Sequence, residues 1–496
     1  MIVNVNGNIN KYYVQSLCMI FFPGIKFSGE EAEDNSTVDV TVKDVENGVE
    51  AFVSLTVNNK HTEATKTESY KVEVPHDRTV KLAVGAAVLA AAGELVGYRP
   101  SWGMLTGVRP SKVATELLHL GYSKTRVKKL LSSDYLVTTK KASLATDVAV
   151  NEMNIIGTPS PRDCSVYIAI PFCPSRCAYC SFVSYTSDRL LSLIPKYLET
   201  LIEDTKQVFA TIKRIGLNIK TVYIGGGTPT ILSADQLRQL LSTINECTDV
   251  SALQEFTLES GRPDTVTSEK FAVAKEFGVT RVCINPQTLS DDVLKMIGRE
   301  HNSAEFFKAY DIARASGIKY INTDLIAGLP GDNFKSFSAT FDKILQLRPD
   351  NITVHTFCVK KSSDYLRRGS NVYSLRGGDV GKCVDYSQIK SGQAGYKPYY
   401  MYRQKNTVGN FENVGFALPG AEGRYNIYMM EEVHSIFSVG AGAVSKMMKY
   451  PEKDGEKATI LRLFNQKYPY EYLSDNKTEE LCRQYEEFYK ENFSDI

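Results

Sequence analysis

Between Cys164 and Cys358 the chain repeats one pattern six times: a short run of β-branched residues, then a longer amphipathic stretch. The runs are SVYIAI, TVYIG, EFTLES, TRVCIN, YINTDLI and ITVHTFC. Strands that alternate with helices build βα units and a parallel sheet. Six such units specify an α/β fold, a partial (β/α)6 barrel that stops short of the closed eight-stranded form. Barrels of this kind carry their active sites on the loops that leave the carboxyl ends of the strands.

The flanking segments differ in pattern. From Met1 to about Val74, alternating runs such as STVDVTV and VEAFVSLTV between Asn/Gly turns read as antiparallel strands. From Pro75 to about Pro161 the periodicity is helical. Its apolar run, LAVGAAVLAAAG, is shorter than the roughly twenty residues a bilayer span needs and reads as a buried helix. After Val359, Tyr-rich and Gly-rich stretches lead to a charged last helix. The expected division is a β-rich module over 1–75, a helical segment over 76–161, the barrel core over 162–360 and a mixed α/β extension over 361–496. A chain of 496 residues has room for this division. Its 58 Lys and Arg nearly balance its 57 Asp and Glu, so no overall field draws it to nucleic acid or an anionic membrane. The opening MIVNVNGNINKYY has no signal-peptide character, which points to the cytosol.

Cysteines in a cytosolic chain are metal ligands, catalytic thiols or core residues rather than disulfides. Cys18, Cys164, Cys247, Cys283, Cys383 and Cys482 are isolated and read as small buried hydrophobes. Cys173, Cys177 and Cys180 are different, standing within eight residues in the loop after the first core strand, IPFCPSRCAYCSF. Three thiolates at this spacing can bind zinc, but a structural zinc takes four protein ligands and no second Cys/His pair stands at finger spacing. A cubane iron-sulfur cluster held by three cysteines leaves one iron open for chemistry.

The loop resembles the signature of the radical S-adenosylmethionine (SAM) enzymes. There, three cysteines hold a [4Fe-4S] cluster and SAM chelates the fourth iron. YIGGGTP, closing the second strand, is similar to the Gly run that meets the amino-acid end of SAM in that superfamily. More narrowly, VYIAIPFCPSRCAYCSF, GGGTPT, NPQTLSDDVLKMIGREH, TDLIAGLPGD and RPDNITVH resemble the oxygen-independent coproporphyrinogen III oxidase (dehydrogenase) family. GMLTGVRPSK, YYMYRQKNTVGNFENVG and FSVGAGAVSK resemble its HemZ-type branch. Position by position, the resemblance implies SAM contacts at Tyr167, Tyr179, Gly226, Gly227, Thr228, Glu259, Gln287, Arg299, Asp324 and Cys358. Most of these lie where core strands end. The chain departs from the family at Phe182, which replaces a further cysteine, and in about 160 residues ahead of the cluster loop.

The implied activity is radical decarboxylation. SAM cleavage yields a 5′-deoxyadenosyl radical that takes a hydrogen from the β-carbon of a porphyrinogen propionate. Loss of carbon dioxide and one further electron leaves a vinyl group, and two rounds convert coproporphyrinogen III to protoporphyrinogen IX. The implied partner is a reduced flavodoxin or a ferredoxin-like electron donor. Propionates call for cationic anchors, preferably bidentate Arg, and Arg403, Lys360 and Arg109 are the candidates. Two rival readings share the scaffold: a heme chaperone, favoured by Phe182, and a radical SAM methyltransferase or porphyrin ring-opening enzyme. The chaperone's His-Asn and Tyr-Trp pattern is not found after the core, because His434 is the only later histidine and no tryptophan follows Trp102.

Overall fold

The computed structural model describes residues 1–28, 35–71, 74–180, 184–358, 378–404, 407–450 and 458–493. The six core runs form β5 (Asp163–Ile170), β6 (Asn218–Gly226), β7 (Glu255–Glu259), β8 (Arg281–Cys283), β9 (Tyr320–Ala327) and β10 (Asn351–Thr356). Each pairs in parallel with the next, as expected of a partial (β/α)6 barrel. Helices Ile194–Ile215, Ala234–Cys247, Ser268–Glu276, Ser303–Ala315 and Phe334–Leu347 cross between them. Their starts follow local chemistry. Ser233 with Gln236, Asn302 with Glu305, and Asn333 with Ser336 form reciprocal capping boxes that satisfy otherwise orphaned amides. The helix Phe334–Leu347 buries Phe337, Phe341 and Ile344, the i, i+4, i+7 stripe that fits one sheet face.

The sheet does not end with the core. Beyond β10 lie β12 (Glu412–Ala417) and then β11 (Lys397–Arg403); beyond β5 lie β13 (Ser435–Val439), β14 (Val444–Lys449) and β15 (Thr459–Phe464). The extension after residue 361 thus supplies five strands to one 11-stranded sheet. A single hydrophobic cluster runs from Trp102 to Tyr489. Pairing in three dimensions joins what composition divides.

The N-terminal module has its own sheet, β1 (Ile2–Asn6), β2 (Thr37–Val45), β3 (Gly48–Val57) and β4 (Lys60–Ser69). β1 pairs with β2 in parallel, contrary to the all-antiparallel expectation, because an unanticipated helix, Lys11–Phe21, crosses between them. Its buried Val14, Leu17, Cys18 and Phe21 have helical spacing, but the alternating runs downstream overshadow that signal. The apolar run lies inside the helix His76–Val96, which packs on this sheet. That helix therefore belongs with the strands before it, and the change of core falls near residue 100 rather than 75.

A buried carboxylate ties the segment ahead of the barrel to the extended sheet. Glu412 on β12 accepts from Trp102 Nε1 at 2.7 Å and Lys141 Nζ at 2.6 Å, and both partners come from the segment before the barrel. Removing one member of a buried pair strands the other charge. Glu412→Gln is expected to destabilise the fold by about 3 kcal/mol, read as a lowered denaturant midpoint.

Candidate functional site

Parallel pairing brings the carboxyl ends of β5 to β10 to one rim. Ile170 leads from β5 into the cysteine loop, and Gly226 pairs beside it. The Gly run is needed there because nothing larger fits. A Cβ on Gly227 would stand 2.5 Å from Phe172 O and 2.9 Å from Cys173 Sγ, and Gly226 takes φ +110° against Ile170. The amides of Gly227 and Thr228 donate to Ile170 O and Phe172 O, both at 2.8 Å, and Thr228 Oγ1 lies 3.2 Å from Cys173 Sγ.

Other elements hold the loop from the sides. The Cys173 amide donates to Tyr185 O at 3.1 Å, the Ala178 amide to Ile297 O at 2.9 Å, and Arg262 Nη1 to Ser175 Oγ at 2.7 Å. Arg299, nearly buried, donates from Nη2 to the Tyr179 hydroxyl at 3.1 Å and from Nη1 to Gly261 O and Asn285 O. It braces the loop between Cys177 and Cys180 as a tie to the barrel.

Inside the rim sits a row of polar groups. Tyr223 donates to Glu259 Oε2 at 2.5 Å and Asn285 Nδ2 to Glu259 Oε1 at 3.0 Å, while Asn285 Oδ1 accepts from the Asp324 amide at 3.1 Å. Burial, and then the neighbouring Asp324 charge, push the Glu259 carboxyl up to about 7. Gln287 adopts φ +68°, held by backbone bonds to and from β9, and its buried Oε1 has no partner. A strained backbone presenting an unpartnered amide oxygen is poised for a ligand. The opposite end of the barrel is closed. Glu255 accepts the amides of Arg424 and Tyr425 and pairs with Arg281, and the Tyr425 ring stacks 4.6 Å from Tyr223 and 6.2 Å from Tyr167.

The site fits both expected groups. None of the ten cysteines is in a disulfide, so the three loop thiols are free to serve as ligands. Among the described residues no three His, Cys, Asp or Glu groups gather around one ion position. The Cβ-free floor at Gly227, the Gln287 oxygen and the Glu259–Asp324 pair suit a cationic, hydroxyl-bearing cofactor beside the loop thiols.

Tyr167, Tyr179, Gly226, Gly227, Thr228, Glu259, Gln287, Arg299, Asp324 and Cys358 all come to this rim with Cys173, Cys177 and Cys180. The proposed anchors do not join them. Arg109 donates to Met430 O and pairs with Glu432 just before β13, at the opposite end of the barrel. Arg403 is 4% exposed; it donates from Nη1 to Leu105 O and stacks 5.8 Å over Trp102. Side chains alternate along a strand, so the neighbouring Tyr402 faces inward and Arg403 faces the N-terminal segment. Lys360 and Phe182 lie outside the described residues. Sequence reasoning passed over Tyr223, Asn285, His355, Tyr402 and Tyr425. The matching VYI of β5 and β6 was a signal for Tyr223, whereas nothing local marks Tyr425.

Comparison with known proteins agrees with this geometry. The pattern of the radical SAM superfamily matches residues 167–344. The oxygen-independent coproporphyrinogen-III oxidase-like protein HemZ of Bacillus subtilis is 35% identical over 408 residues, 80% of each chain. The heme chaperone HemW of the same organism is 32% identical over 292 residues, 56% of this chain and 70% of its own. The solved structure of coproporphyrinogen III oxidase HemN of Escherichia coli, described as a radical SAM enzyme, shares the fold at TM-score 0.50 and 21% identity, over 66% of this chain and 72% of that one. The chain belongs to the radical SAM superfamily and, within it, to the oxygen-independent coproporphyrinogen-III oxidase-like family, whose cofactors are a [4Fe-4S] cluster and SAM.

Two outcomes follow from the geometry. Gly227→Ala should fold but lose most bound iron after anaerobic reconstitution, since its Cβ collides with Cys173, as iron and circular dichroism measurements will show. Glu259, raised in the fold, holds its proton between the ordinary carboxyl range and about 7, so its contribution to stability is present at low pH and lost as pH rises toward 7. Glu259→Gln should flatten that part of the profile when denaturant midpoints are compared at pH 5 and 7.5.

Proposed function

We propose that this chain is an oxygen-independent coproporphyrinogen III dehydrogenase, converting propionates of coproporphyrinogen III to vinyl groups to give protoporphyrinogen IX in anaerobic heme biosynthesis. The observation that carries the reading is the extent of the likeness to the HemZ protein. It covers 80% of the chain, well past the core, whereas the chaperone HemW is matched over 56%. When bound, the cluster and SAM supply one electron and an acceptor for a hydrogen atom.

The chain's own residues do the rest. Cys173, Cys177 and Cys180 hold the cluster, with Thr228 and Arg262 setting the loop. The backbone at Gly226 and Gly227 receives the amino-acid end of SAM, and Tyr167, Glu259, Gln287, Asp324 and Cys358 line its remainder. Arg299 acts through Tyr179. Tyr425 and the Arg281–Glu255 pair seal the far end of the barrel, keeping water from the reacting carbon. A reduced flavodoxin or ferredoxin-like protein is the electron donor in this reading.

The heme-chaperone reading has one observation of its own, the 32% identity to HemW across the core. Anaerobic incubation with SAM, a strong reductant and coproporphyrinogen III separates the two. Decarboxylation lowers product mass in two steps, each matching loss of carbon dioxide and two hydrogens, with a mono-vinyl intermediate early. Tight heme binding with coproporphyrinogen returned unchanged favours the chaperone. The reconstituted protein should carry about four irons and four sulfides, lost on replacing any of Cys173, Cys177 or Cys180 by Ala; stoichiometric zinc without sulfide would refute the cluster assignment.

A further inference from the structure

β12 lies between β10 and β11, yet the tyrosines of β11 reach over it. Gly415 on β12 makes this possible. A Cβ there would stand 2.1 Å from Tyr400 Cε1 and 2.8 Å from Tyr399 Cε1. With no side chain in the way, Tyr400 stacks on Tyr402 at 6.3 Å and 19°, and the Tyr402 hydroxyl comes within 3.3 Å of His355 Nδ1 on β10. His355 Nε2 in turn lies 3.5 Å from Asp324 Oδ2 on β9. The His355 and Asp324 side chains are 26% and 23% exposed, so this row opens onto accessible space beside the SAM-binding rim.

The bonding pattern says what the row receives. Asp324 accepts, so the tautomer that suits both neighbours carries its proton on His355 Nε2 and leaves Nδ1 to accept from the Tyr402 O–H. The Tyr402 oxygen then keeps its lone pairs for a ligand donor. The Asp324 carboxylate stands at the end of the row, so a substrate carboxylate placed here meets repulsion. An aromatic face with an outward-facing acceptor suits a ring bearing N–H groups.

We propose that Tyr402, oriented by His355 and seated on the shelf that Gly415 opens, determines substrate specificity by accepting a pyrrole N–H group of a porphyrinogen ring, while the propionates are held elsewhere. This rests on the coproporphyrinogen reading above and goes beyond it by assigning which side of the substrate meets β10 and β11.

The test is anaerobic equilibrium dialysis of the full-length, cluster-reconstituted protein against coproporphyrinogen III and against oxidised coproporphyrin III, which lacks part of that N–H set. Tyr402→Phe removes one acceptor with little change of shape. It should weaken coproporphyrinogen binding about tenfold and coproporphyrin binding far less, with iron content per chain retained. His355→Leu should act in the same direction and His355→Gln should restore most of the affinity, because the amide keeps a donor and an acceptor. Gly415→Ala should weaken both ligands by displacing Tyr400. Wild-type affinity in both Tyr402→Phe and His355→Leu overturns the shelf and leaves the dehydrogenase reading intact. Equal loss of both ligands in Tyr402→Phe overturns the N–H assignment. Failure of the unaltered protein to bind any porphyrinogen overturns the proposed function and the shelf together.

Discussion

Six neighbouring strands run parallel from β5 to β10, and crossover helices on such a ladder return each strand in the same direction. Every carboxyl end therefore falls on one side of the sheet. Residues as far apart in the chain as Cys173, Glu259, Asp324 and Cys358 come to the same side of the sheet for that reason. The loop chemistry then works at close range. Gly226 and Gly227 let the second strand's exit press against the first strand's loop, where any side chain would meet Phe172 O and the Cys173 sulfur. The register delivers the groups, and the missing Cβ atoms let them touch.

The sheet extensions turn this rim into a cup. β12 and β11 continue the ladder past β10, and β13 to β15 continue it past β5, so the open flanks of a six-stranded barrel become walls. The far end is closed by polar bonds. Arg281, 2% exposed, is compensated by Glu255 and by carbonyls at Ala421 and Glu422, and this network sets the helix that inserts Tyr425 under Tyr223. Burial of this kind is costly for charge unless it is paired. Glu259, facing Asp324 inside the cup, meets part of that cost by keeping its proton.

Much of the site was legible in the sequence, and the misplaced parts share a cause. The cysteine spacing, the Gly run and the acids at strand ends are local patterns, and their chemistry does not depend on what lies across the barrel. Arg403 and Arg109 were chosen for charge alone. Charge does not say which way a strand residue points. On β11 the alternation sends Tyr402 to the cup and Arg403 to Trp102, and the distinction is invisible until the pairing of β11 with β12 and the partners on each face are known.

Six βα units, one cluster loop and a buried apolar helix near the N-terminus were determined by the sequence itself, because hydrophobic period and turn chemistry act over a few residues at a time. The tertiary structure alone decided that the last quarter of the chain joins the core sheet, that Glu412 welds the segment before the barrel to it, and that Tyr425 and the His355–Tyr402 pair face the interior. Those outcomes depend on contacts between segments far apart in the chain, and the free energy of such contacts belongs to the assembled sheet and its buried charges, which no local window contains.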